Sequence, residues 1–181
     1  MLFRSVLLPS LDKTLGADWS KLEDNTMGEF GWKEVLKQFL DDARAKPLAA
    51  AWDGDRYLVY EQKQTKHLLL ITRERLATQE QAQRFFGQYS EALEKKHAQH
   101  TNLFRRPDFF SFDTRDGGVF LRCFDRECIT LEGGDRALFI KLNKELEWAP
   151  VPEQPKVPSK DSKQLADRRP VNIALTKAHA S

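Results

Sequence analysis

Leu48-Ala49-Ala50-Ala51-Trp52-Asp53-Gly54-Asp55-Arg56-Tyr57-Leu58-Val59-Tyr60-Glu61 is the stretch on which the fold class turns. Two β-prone runs, Leu48 to Trp52 and Arg56 to Glu61, flank Asp53-Gly54-Asp55, where Gly54 can supply the positive φ that a tight reversal requires. The spacing therefore predicts a hairpin. A third strand, His67 to Arg73, follows a polar loop and makes a meander of three.

On the N-terminal side, Thr26 and Glu29 form a capping box. Trp32, Val35, Leu36, Phe39, Leu40 and Ala43 follow at helical spacing, and this helix is expected to end before Pro47, which cannot continue the hydrogen-bond ladder. On the C-terminal side, Thr78 and Gln81 repeat the capping box, and Ala82, Phe85, Phe86, Tyr89 and Leu93 form one apolar stripe running to about His97. A second meander is then predicted over 109–114, 119–124 and 128–132. Gly133-Gly134-Asp135 punctuates the chain before a last helix with Leu138, Phe139, Leu142 and Leu146 on its buried side. The fold class that results is α+β: an antiparallel sheet built from two three-stranded meanders, with about three amphipathic helices packed on one face.

Three regions are expected. Residues 1–24 read as an irregular lead-in or the remnant of a preceding domain, 25–149 as the α+β domain, and 150–181 as a flexible tail rich in Pro and Lys. Within the tail, Ser159 to Arg169 is polar, and Val171 to Leu175 is a short apolar patch that could dock back on the body. Met-Leu-Phe-Arg-Ser at the start is also the translation of the end of a common sequencing adaptor, so the natural start is expected upstream, and the lack of a signal peptide says little about compartment.

The 181 residues are 40% hydrophobic and 31% charged, which suits an ordinary globular core and excludes collagen-like and wholly disordered readings. A net charge of +2 is too balanced for an electrostatic nucleic-acid binder. The basic excess sits in 151–181, which carries +3 against −1 for the rest. No apolar run approaches the roughly 20 residues of a transmembrane helix.

Few residues carry chemistry. Cys123 and Cys128 flank a predicted hairpin turn, which allows a cross-strand disulfide; in a reducing compartment they would be two small thiols. His97 and His100 stand three apart near a helix end, a weak metal signal that the helix dipole explains equally well. Asp53 and Asp55 read as turn residues, since Arg56-Tyr57-Leu58 does not continue a calcium loop. There is no phosphate-binding glycine loop, no G-x-S-x-G, no H-E-x-x-H and no C-x-x-C. No catalytic, cofactor or metal residue is assigned.

Thr26-Met27-Gly28-Glu29-Phe30-Gly31, followed by Ala49 to Tyr57, resembles the C-terminal region of a group of bacterial exported proteins whose N-terminal half carries an HExxH metallopeptidase-like motif. The likeness extends over about Val6 to Glu132. It implies an extracellular or periplasmic location and a noncatalytic accessory region, with the zinc-binding helix outside this chain and an N-terminal metallopeptidase-like domain of the same parent as partner. Glu29, Asp53, Asp55, Arg56 and Tyr57 become candidate structural or groove residues, with Arg56 pairing to Glu29 or Asp53. This reading expects a large apolar patch along Val6 to Trp19. The alternative is a self-contained binding or interaction protein, which expects a pocket lined by aromatics and a few polar groups.

Overall fold

The computed structural model describes residues 6–154; the expectations for Met1–Ser5, for Ser159–Arg169 and for Val171–Leu175 lie outside them. The elements in chain order are α1 (Asp12–Leu15), β1 (Trp19–Asn25), α2 (Gly28–Lys37), α3 (Asp42–Ala50), β2 (Trp52–Gln62), β3 (Leu68–Leu76), α4 (Gln79–Lys96), β4 (Thr101–Arg105), β5 (Phe109–Thr114), β6 (Gly117–Phe124), β7 (Glu127–Gly134) and α5 (Arg136–Glu145). The seven strands make one sheet in the order β1-β2-β3-β7-β6-β5-β4, every pair antiparallel. It contains a three-stranded and a four-stranded meander, β1–β3 and β4–β7, joined along β3 and β7 rather than two of three strands each.

The hairpin expected at Asp53-Gly54-Asp55 does not form. Leu48 to Ala50 belong to α3, and the triplet lies inside β2, where the ladder shifts register between Trp52 and Gly54. The alanine run favours helix once Asp41 caps it, its side chain accepting from Arg44 N–H at 2.9 Å, and Ala45, Leu48 and Ala49 are buried. Pro47 sits inside this helix and costs it one ladder bond, contrary to the expectation that it marks an end. The helix expected from Thr26 to Ala43 is two helices, broken over residues 38–41. The lead-in supplies β1, an edge strand paired with β2.

Strand alternation divides the core. On one face α2, α3 and α4 cover Leu76, Phe110, Phe112, Val119, Leu121 and the two cysteines. On the other, α5 and the segment around Leu11 cover Leu58, Tyr60, Ile71, Phe109, Phe120, Ile129 and Leu131. Helices therefore lie on both faces, because a sheet with apolar residues at consecutive positions, as in Phe109-Phe110 and Val119-Phe120-Leu121, must be covered twice. Val6 and Leu11 are buried and Leu11 N–H donates to the Tyr60 hydroxyl at 3.0 Å, so Val6 to Trp19 does not present the broad apolar patch expected of it; Leu7 alone there is well exposed.

Candidate functional site

The Asp53–Tyr57 stretch opens β2 beneath α2. Asp55 is only 3% exposed, and its carboxylate accepts three hydrogen bonds, from Met27 N–H (2.7 Å), Gly28 N–H (2.9 Å) and the Trp52 indole N–H (2.7 Å). The capping box read at Thr26 and Glu29 is absent: no side chain of the helix's own approach caps α2, and Asp55 does so from the sheet, where its charge also meets the positive end of the helix dipole. Thr26 instead donates its hydroxyl to the Asp55 carbonyl at 3.3 Å, and Glu29 is exposed in the first turn.

Asp53 accepts from Arg126 Nη2 at 2.5 Å, and Arg126 Nε donates to the Leu76 carbonyl at 3.0 Å, which fastens the start of β2 to the β6–β7 turn across the end of β3. Arg56, one residue further on, turns to the other face and pairs with Asp24 of β1 at 2.6 Å, with neither of the two partners expected for it. Tyr57 is half-buried. The structure thus brings Asp55 and Trp52 together at the start of α2, ties Asp53 to the β6–β7 turn and Arg56 to β1, and leaves Glu29 exposed.

Cys123 and Cys128 face each other across β6 and β7 with Cα atoms 4.0 Å apart, and their sulfurs are bonded beneath α4. Sequence reasoning passed over two buried acids, Glu74 and Glu132. Glu74 stands directly opposite Asp55 on one side and Cys128 on the other, and is 1% exposed. Between Arg73 and Arg75 it reads as part of a solvated face, yet alternation sends both arginines to Glu127 on the other face and Glu74 inward. Glu132, nearly buried, accepts from Lys96 Nζ at 2.8 Å and meets His97 Nε2 at 2.7 Å at the end of α4. Burial works to raise its pKa, but the His97 hydrogen bond and the Lys96 ammonium outweigh it, and the carboxyl is held below its ordinary value. Among the described residues no group of three or more His, Cys, Asp or Glu side chains is placed to hold a metal ion.

A wide concavity lies apart from these residues. A groove of about 1200 Å³ runs between α5, β4 and the stretch after α5, lined by Phe104, Ile140, Trp148 and Val151 with Arg136 and Lys144 among them. Its wall is fixed by buried polar groups: Arg122 Nη1 donates to Asn143 Oδ1 at 2.7 Å and to the Ala149 carbonyl at 2.5 Å, Asn143 Nδ2 donates to the same carbonyl at 2.7 Å, and Gln154 Nε2 donates to Ser111 Oγ at 2.8 Å. The stripe read on the last helix, Leu138, Phe139, Leu142 and Leu146, faces the core, and nothing in the sequence pattern pointed to Arg136, Ile140 and Lys144 or to residues 148–154 as the walls of this groove.

Among the described residues no helix is long and apolar enough to cross a membrane. No curated protein and no solved structure matches the chain. Residues 15–130, from the end of α1 into β7, match the family described as a domain of unknown function, DUF8575, and the chain belongs to that family.

Proposed function

We propose that the chain is a noncatalytic accessory region of an exported bacterial protein whose metallopeptidase-like part lies outside these residues. The observation that carries this reading is the use made of Asp53 and Asp55. Asp55 spends its carboxylate on two helix N–H groups and an indole, and Asp53 is fastened to Arg126, so both are engaged in holding the fold together. A buried cross-strand disulfide supports an oxidising compartment. The resemblance of Thr26–Gly31 and Ala49–Tyr57 supports the parentage.

A second reading, a self-contained binding module, is favoured by the groove between α5 and β4 and by the packing of Val6 and Leu11 into the body rather than into an apolar docking patch.

Sequencing the locus upstream of codon 1 separates the two. A frame that continues back into an H-E-x-x-H helix and a signal peptide is the expected result. A stop codon and ribosome-binding site just ahead of Met1 overturn the accessory reading in favour of the binding module. Hydrolysis of a general peptide substrate by the purified chain supplied with zinc would overturn both.

A further inference from the structure

Two tryptophans and two acids sit side by side beneath α2 and α3, and only one pair is closed. Trp52 gives its indole N–H to Asp55. Trp32, 2% exposed, finds no protein partner for its indole nitrogen, and neither carboxyl oxygen of Glu74 completes a hydrogen bond, even to the Thr72 hydroxyl two residues away on the same face. The side chains of Trp32 and Glu74 also border a small gap of about 10 Å³, and its walls, shared with Leu48, Ala49, Trp52, Leu76 and Phe85, are apolar. An ionised carboxylate in such a box, without a donor, would be costly.

We propose that Glu74 is carried as a neutral carboxylic acid against α2 and α3, and that loss of its proton loosens the α2–α3 cover. The acids around it act in the same direction. Asp55 faces it from β2, and Glu132, itself paired with Lys96 and His97, lies further along β7. Cys128, opposite on β7, is bonded to Cys123 and does not titrate. Tyr89 of α4 is also buried, and its phenol is pushed upward by that burial and by Glu132 and Glu74; α2 and α3 offer Trp32, Leu48 and Ala49, none ionisable. Burial raises the Glu74 carboxyl to about 8, with the nearby Thr72 hydroxyl opposing and the Asp55 charge adding to it.

The folded state therefore holds this proton more tightly than the unfolded chain, whose carboxyl titrates near 4.5. Its contribution to stability is full below that value, declines as pH rises toward 8, and is gone above it.

The test is urea unfolding of the wild type and of Glu74→Gln from pH 4.5 to 9. Relative to the variant, the wild-type unfolding constant is expected to rise up to tenfold per pH unit across the window. Parallel curves for the two proteins overturn the proposal. Should Glu74→Gln fail to fold, infrared difference spectra of the wild type decide the matter. A protonated-carboxyl C=O band present at pH 6 and lost near pH 8 is expected, and its absence at pH 6 overturns the assignment. Hydrogen exchange then reads the loosening: amides of residues 28–50, corrected for intrinsic rates, lose protection above pH 8, whereas unchanged protection there refutes the loosened cover.

Discussion

Asp55 ties together two places in the sequence, the adjacent Met27 and Gly28 at the start of α2 and Trp52 at the start of β2, through three hydrogen bonds. Asp55→Ala strands two helix N–H groups and an indole N–H away from water, and the expected cost is about 3 kcal/mol, read as a lowered urea midpoint; Asp55→Asn, which keeps one acceptor oxygen, is expected to cost about half as much. Gly133 is the second critical position. Its φ is +81°, and an added Cβ would lie 2.3 Å from the Leu68 carbonyl oxygen, a backbone atom of the neighbouring strand. Gly16 has a similar φ of +76° with open space around it. Thermal denaturation should therefore show Gly133→Ala losing clearly more than the roughly 1 kcal/mol expected of Gly16→Ala from conformation alone. Both residues were visible in the sequence as punctuation. What could not be read there was the neighbour, since Met27 and Leu68 are brought to these positions only by strand pairing.

The helix from Gln79 to Lys96, the last helix and strands β5 to β7 follow from stripes and alternation long enough to outweigh local exceptions. The region 38–55 was misread because its two strongest local signals conflict with its tertiary setting. Pro47 is tolerated inside α3 where burial of Ala45, Leu48 and Ala49 compensates, and Gly54 relaxes a shift of register instead of making a turn. Strands β1 and β4 escaped notice because both lie at edges and carry largely exposed polar residues. The β6–β7 hairpin has a measurable staple. Its disulfide closes a short loop, and Cys123→Ser with Cys128→Ser should lower stability by about 2 kcal/mol without altering the far-ultraviolet spectrum; no difference from wild type under oxidising conditions would show that the bond adds nothing. The stretch after α5 depends on Asn143, so Asn143→Ala should expose 148–154 to protease well before the body unfolds.

At the scale of the molecule, acids set stability from both ends of the pH range. Glu127 and Glu132 are both held below their ordinary value: burial opposes this, and hydrogen bonds from Arg73 and Arg75, and from His97 and Lys96, prevail. Their contribution is present above about 4.5 and lost as pH falls through their folded values, while that of Glu74 fades as pH rises. Chemical denaturation across pH should give a dome whose acid limb flattens in His97→Ala. The two meanders meet only where β3 pairs with β7, and this seam also sets a timetable for synthesis. β7 is complete at Gly134, 58 residues after β3 ends at Leu76, so at roughly 5–20 residues per second a nascent chain carries β3 with one side unzipped for about 3 to 12 s. During that interval Arg73, Glu74 and Arg75 are the residues that keep other ribosome-borne strands from joining it, charges that deter a wrong partner first and are sorted to opposite faces of the sheet only when the right one arrives.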